Sequence, residues 1–177
     1  NPQYSVVADP EGTEINQAWL RFSGLEKNII TLGRQRINFD NQRFFGGVGW
    51  RQNEQTYDAL MVTNTSLSNI SARYVYMYNV NRIFGPGDGA QLADFGTDSH
   101  LINVSFEGWN VGKLNLYAYL MDVEDAHAFA TETYGARFNA KYKLSEKNKL
   151  LFTAELATQT DYGSYSDQTN FDANYYT

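Results

Sequence analysis

Apolar and polar residues alternate with a period of two along most of this chain, and no segment carries a convincing helical period, so the pattern predicts an all-β protein. Alternation is clearest from Tyr134 to Leu144. There Tyr134, Ala136, Phe138, Ala140, Tyr142 and Leu144 form one face, opposite Gly135, Arg137, Asn139, Lys141 and Lys143. The same rhythm predicts strands over 150–159, 113–121 and 100–107, and more loosely over 15–23, 28–37, 51–63 and 70–79. A further strand begins near Phe171.

The connections alternate as well. Segments 23–27, 64–69, 108–112 and 145–148 are short, polar or glycine-bearing and suit hairpin turns. Segments 38–50, 80–98, 124–132 and 161–172 are longer. Short turns at one end and long loops at the other predict an antiparallel up-and-down transmembrane β-barrel. Strands of about 9–11 residues have the length a tilted strand needs to cross a bilayer. The chain therefore reads as a partial barrel of about eight or nine strands, residues 1–177 forming one barrel-domain fragment. It starts at Asn1 without a leader and suggests a mature or truncated chain.

Charge sharpens this picture. The net charge is −6, but the long loops together with residues 1–14 hold 13 acidic and 2 basic residues, whereas the strands and short turns hold 7 acids and 12 bases. An acidic rim around a basic wall suits a pore better than a generic sandwich. A Lys or Arg facing lipid near the midplane costs about 2–4 kcal/mol, so the Arg137/Lys141/Lys143 face should line the lumen and the Tyr134–Leu144 face should meet lipid. The same argument turns Arg21 and Arg73 inward. It leaves the 28–37 strand undecided, because Ile30 and Leu32 share parity with Arg34 and Arg36. Either a bulge or a position of the two arginines beyond the apolar band would reconcile them.

Composition closes off several classes. The acidic balance argues against nucleic acid as a partner. The absence of cysteine removes disulfides, thiolate metal sites and a cysteine nucleophile. Neither a cofactor nor a metal is expected. Gly85–Gly89 with Asp94 and Asp98 lacks the ligand spacing of a calcium loop, and His127 among Asp122, Glu124 and Asp125 reads as a solvated loop. Gly46-Gly47-Val48-Gly49 has no phosphate-loop sequel and suits a loop that folds tightly into the lumen.

The segments Asp9–Leu20, Leu32–Gly46 and Val48–Ala59 resemble those of the alginate export family of outer-membrane porins, most specifically from Gly33 to Ala59. That resemblance implies a monomeric barrel of about 16–18 strands passing anionic polysaccharide or small anionic solutes. It implies the bacterial outer membrane as location and outer-membrane lipid as a partner. Polymer export would add periplasmic partner proteins. This chain supplies fewer strands than the family pattern, which leads to the reading of a fragment.

A pore needs no catalytic residues; rings of Arg or Lys at its constriction favour anions. The basic stretch from Arg21 to Arg51 and the inward-facing cations nominate Arg34, Arg36, Arg43 and Arg51 around the constriction, with Arg73, Arg137 and Lys141 along the wall. The competing reading has these arginines paired with Asp40, Glu54, Asp58 and Glu155 across strands. Two other classes compete with the channel. An enzyme would want a nucleophile beside a histidine, and His100 and His127 have no evident serine partner. A soluble β-sandwich carbohydrate-binding module is the alternative, with Tyr and Trp stacking on sugars.

Overall fold

Each alternating segment pairs with its neighbour in chain order. The computed structural model describes residues 13–51, 53–85, 91–163 and 171–177. Its strands are β1 (Ala18–Phe22), β2 (Asn28–Gln35), β3 (Thr56–Asn64), β4 (Ile70–Asn81), β5 (Asp94–Trp109), β6 (Gly112–Leu120), β7 (Thr131–Lys143), β8 (Lys149–Asp161) and β9 (Asp172–Tyr176). They form one nine-stranded antiparallel up-and-down sheet, β1 through β9 in sequence order. Helical structure among the described residues is slight, with a 3-10 turn at His127–Phe129. The two-sheet arrangement of a sandwich is not formed.

Short hairpins lie at one end of the sheet, called the lower end below. Two of them turn through left-handed residues, Lys27 (φ 59°) and Asn69 (φ 60°). The long connections lie at the upper end. The β2–β3 connection does not stay there: residues 37–47 fold back over one face of the sheet, defined here as the inner face. Its left-handed residues Asp40 and Gln42 tighten the bend. Asn38 Oδ1 accepts from the Gly47 backbone N–H at 2.7 Å and closes the loop's neck.

The two faces have inverted chemistry. On the inner face, polar side chains are enclosed by the inserted loop and by one another: Thr31, Gln35, Ser99, Asn103, Thr133 and Glu155 are all buried. On the outer face, large apolar side chains stand free, with Leu20 78% and Leu156 67% exposed. Even-numbered positions of β6 to β8 give this face its content: Leu114, Leu116, Ala118, Leu120, Tyr134, Ala136, Phe138, Phe152 and Leu156 carry no charge, and Glu132 at the upper end of β7 is the one acid among these even positions. Aromatic residues mark its ends. Tyr78 sits toward the upper end, while Phe106, Trp109 and Phe138 cluster near the lower hairpins with ring centroids 5.0 and 6.0 Å apart.

The strand boundaries depart from the sequence pattern in two places. Arg51 and residues 53–55 belong to the inserted connection, not to β3, because Gln55 N–H donates to the Gly47 carbonyl and ties this stretch to the loop's neck. β5 starts at Asp94, six residues before the alternation becomes legible. The reason is a register shift: Met77 pairs Ser99 and Asn79 pairs Gly96, leaving Tyr78 opposite Thr97 and Asp98. A bulge of this kind breaks the period-two signal.

Gly33 explains how closely β2 lies against its neighbour β1. Its φ is +116°, and a Cβ there would stand 2.4 Å from the Ala18 carbonyl oxygen. Only glycine fits. Gly135 plays a different part on the inner face: a Cβ would meet the Tyr117 ring at 2.2 Å, so the missing side chain is the space into which that ring lies.

Candidate functional site

The inserted loop crosses the inner face from β2–β3 toward β9 and is fixed at each step by residues from different strands. Its apolar side chains form a buried cluster with the wall. Phe39 stacks on Tyr119 at 5.9 Å, and Phe45 meets Tyr119 edge-on at 5.0 Å and Tyr57 at 5.9 Å. Aromatic pairs of this kind add about 0.5–1.5 kcal/mol each beyond their buried area. The polar side of the loop is pegged by carboxylates. Asp40 accepts from the side-chain amides of Asn103 on β5 (3.0 Å) and Asn115 on β6. Asn41 reaches Glu155 of β8 at 3.5 Å.

Glu155 is itself a junction. It is 2% exposed, accepts from the Tyr117 hydroxyl at 2.9 Å, and pairs with Arg137 Nη1 at 2.5 Å. The pairing follows from register, since Arg137 and Glu155 are direct cross-strand partners. Burying such a carboxylate is tolerable only because its oxygens are satisfied by charged and neutral donors together.

With the loop in place, the inner face is divided into two depressions. The upper one has a volume of about 630 Å³ and is lined by Phe44, Phe95, Tyr119, Phe129 and Tyr175, among others, with Arg43 and Arg82. The lower one, about 400 Å³, is polar: Asp40, Arg73, Asn103, Lys113, Asn115, Arg137 and Asn139 line it.

The seven cations nominated from sequence separate into distinct environments. Arg73 and Arg137 lie on the inner face and share the lower depression. Arg43 is carried on the inserted loop into the upper one, its guanidinium 4.0 Å over the Tyr175 ring. Lys141 faces the lower rim, beside Trp109 and Leu151. Arg51 stacks 4.0 Å over Trp50 in the β2–β3 connection.

Arg34 and Arg36 are not brought to this group. The β2–β3 register runs unbroken through Gly33 and Arg34, so no bulge rotates them inward. Of the two arrangements open from sequence, the structure has the arginines at the strand's upper end beyond the apolar band. Arg34 grips Asp58 with two hydrogen bonds of 2.9 and 3.1 Å, and Asn81 joins the same carboxylate at 3.2 Å. Arg36, past the end of β2, contacts both oxygens of Glu54 at 2.7 and 2.6 Å. That donor holds the Glu54 carboxyl below the ordinary glutamate range.

Three of the four acids considered as cross-strand partners, Glu54, Asp58 and Glu155, thus pair with Arg36, Arg34 and Arg137. Asp40 bonds amides instead. Among the described residues, Arg43 and Arg73 have no carboxylate within ion-pair distance.

Sequence reasoning did not nominate Arg82, Lys113, Asn103 or Asn115. Arg82 sits just beyond β4, between the rings of Phe84 (4.6 Å) and Phe95 (4.3 Å). The alternation Arg82-Ile83-Phe84 is a signal that places Arg82 beside a ring. Gly85–Gly89, weighed as a calcium loop, lies for the most part outside the described residues. Among those residues no group of three or more His, Cys, Asp or Glu is placed to hold a metal ion.

Neither the family models nor the curated proteins contain a match to this chain. Among solved structures, the chain is similar to OccD3 (OpdP) of Pseudomonas aeruginosa, an outer-membrane porin. The TM-score is 0.67 at 15% identity, covering 92% of this chain and 39% of the neighbour. The chain thus spans about two fifths of the neighbour's length. At this identity the likeness is one of fold: the nine strands have the arrangement of a porin wall.

Proposed function

We propose that this chain forms part of the wall of a bacterial outer-membrane channel, with the inserted loop as its constriction and the inner face as the solute path. The observation that carries this reading is the inversion of the sheet. Buried polar and charged groups share the loop-covered face with an aromatic and aliphatic cluster, while large apolar side chains stand exposed on the other. In water such an outer face would be an aggregation-prone patch. Against lipid it is the stable arrangement. No chemistry beyond passage is required of it, and the channel reading assigns no catalytic residue.

The finer part of the proposal concerns the solute. Arg43 and Arg73, free of carboxylates among the described residues, leave uncompensated positive charge on either side of the loop, and rings of such charge favour anions. Anionic polysaccharide or small anionic solutes follow, with the resemblance of Gly33–Ala59 to alginate-export porins as further support for the former. The comparisons do not single out alginate. Outer-membrane lipid is the partner of the outer face, and polymer export would bring periplasmic proteins.

Planar-bilayer recording of the full-length protein tests both levels. We expect anion selectivity that falls in Arg43→Ala and Arg73→Ala but is retained in Arg34→Ala, whose charge Asp58 already neutralises. Conduction with equal selectivity in all three would keep the channel and remove the basic constriction. Absence of conductance would remove the channel.

A further inference from the structure

All six lysines of the chain stand at the lower end of the sheet. Lys27 is in the β1–β2 hairpin, Lys113 at the start of β6, Lys141 and Lys143 at the end of β7, Lys147 in the turn that follows and Lys149 at the start of β8. Two of them have local acids, Lys113 with Glu107 at 2.8 Å and Lys27 with Glu26 at 4.0 Å. Among the described residues, the four lysines of the β7–β8 hairpin have no carboxylate within ion-pair distance. Their turn is well defined: Ser145 Oγ accepts from the backbone N–H groups of Lys147 (3.3 Å) and Asn148 (3.1 Å). Lys143 and Lys149 are direct cross-strand partners, and like charges placed opposite each other repel. That repulsion is relieved by an anion from outside the described chain.

The other parity of the hairpin identifies the kind of anion. Tyr142, Leu144, Leu150 and Phe152 are exposed and carry the apolar outer face down to the turn. A soluble acidic partner would match the ammonium groups and leave these side chains in water. A neutral lipid would cover them and leave the charges opposed. An anionic phospholipid answers both, with acyl chain against the apolar parity and phosphate on the lysines.

Lys141, Lys143 and Lys149 have the parity of the inner face, so they need a way round to the membrane surface. A step in the sheet supplies it. The last pair between β6 and β7 is Gly112 with Ala140, and Lys141 N–H donates to the Val111 carbonyl of the β5–β6 turn at 2.9 Å. Below that level β7 has no strand beside it on that side among the described residues. The step leaves a notch of about 590 Å³ lined by Trp109, Val111, Lys113, Lys141, Leu151 and Phe152. Trp109 and Phe152 belong to the outer face and Lys113 and Lys141 to the inner, so the notch joins the two. A lysine stem lies readily along such apolar surface while its ammonium stays at the water's edge.

We infer that the β7–β8 hairpin and the notch beside it form a docking site for anionic phospholipid headgroups in the leaflet at the short-turn end. The lysines hold the phosphate, and Tyr142, Leu144, Leu150 and Phe152 meet the acyl chains. The site rests on the membrane reading of the outer face and adds to it a headgroup class and a place.

The test is electron spin resonance of the full-length protein in phosphatidylcholine bilayers, with traces of spin-labelled phosphatidylglycerol or phosphatidylcholine. The spectra separate lipid held at the protein surface from free lipid. We expect phosphatidylglycerol to associate at least about threefold more strongly than phosphatidylcholine, since each lysine near the surface attracts anionic lipid. The preference should fall with added salt. It should approach unity in the variant combining Lys141→Gln, Lys143→Gln, Lys147→Gln and Lys149→Gln, and persist in Arg36→Gln at the upper end. The wild-type headgroup ranking and its salt dependence stand as a test even where the combined variant fails to fold. A preference untouched by the four substitutions would overturn the proposal. So would wild-type protein that shows no lipid preference yet binds soluble oligoglutamate through these lysines, which would reassign the patch to an acidic protein. Surface-held lipid without headgroup preference would end this proposal and spare the membrane wall. No surface-held lipid at all would end the wall reading with it.

Discussion

The two faces of this sheet are made from one set of strands, yet they obey opposite rules. Odd-numbered positions of β6 to β8 include Asn115, Thr133 and Glu155, polar and enclosed beside the buried rings of Tyr117 and Tyr119. Even-numbered positions, such as Leu116, Tyr134 and Leu156, are apolar and open. In a soluble domain the second set would be the core and the first the surface. Here the inserted loop covers the polar set, and on the proposed channel reading the apolar set meets lipid. Which face is the interior is therefore decided by the loop and the solvent, since backbone pairing is indifferent to it.

The largest effect should come from putting a charge on the wrong face. Leu116→Arg places a cation in the outer apolar band, where the cost is about 2–4 kcal/mol near the midplane. Folding into lipid vesicles, followed by denaturant titration, should show a loss of that size. Thr153→Arg, at an exposed inner-face position of β8, should cost much less. Equal penalties at both sites would erase the distinction between the faces.

Next in size is the anchoring of the loop. Asp40→Ala removes the acceptor shared by Asn103 and Asn115, leaving Asn103 only the Tyr119 hydroxyl and Asn115 without this acceptor under the loop, a loss of about 1–3 kcal/mol. Single-channel records should show larger or noisier openings as the loop loosens. Unchanged conductance would mean that the aromatic cluster alone fixes it. Glu155→Gln sharpens the point from the other side, since it leaves Arg137 without its carboxylate while keeping the shape; we expect destabilisation together with a gain in anion selectivity.

The smallest effect lies outside the membrane band. Arg36 depresses the Glu54 carboxyl, so their pairing stabilises the base of the loop above the ordinary glutamate range. That contribution fades as pH falls through the depressed value. Arg36 is exposed and the pair is screened by water and salt, so hydrogen exchange of the Gln55 amide, with and without Glu54→Gln, is the suitable readout. Exchange that speeds on acidification in the wild type but not in the variant is the expected result.

Much of this fold was legible because a two-residue period survives wherever strands are regular. All nine strands, the order of short and long connections and the inward side of Arg73 and Arg137 followed from it. The start of β5 did not, because the bulge around Tyr78 and Asp98 breaks the rhythm. The glycines 46–49 signalled a tightly folded loop, but contacts such as Phe39 on Tyr119 or Asp40 on Asn115 join residues far apart in sequence, where periodicity carries no information. Arg34 shows the limit most clearly. Its parity was readable and its height along the strand was not, and height is what separates a lipid-facing charge from one beyond the band.

The chain contains no cysteine, which permits a direct test of the central claim. Single cysteines placed in turn from Tyr134 to Lys143 of β7, in the full-length protein reconstituted in lipid, would be spin-labelled and probed with oxygen and with a water-soluble nickel chelate. The account predicts a strict alternation: even positions quenched by oxygen in the bilayer, and odd positions, apart from those sealed by the loop, quenched by the chelate. Chelate access at Ala136, Phe138 and Ala140 equal to that at Asn139 and Lys141 would place both faces in water and contradict the assignment of a membrane wall.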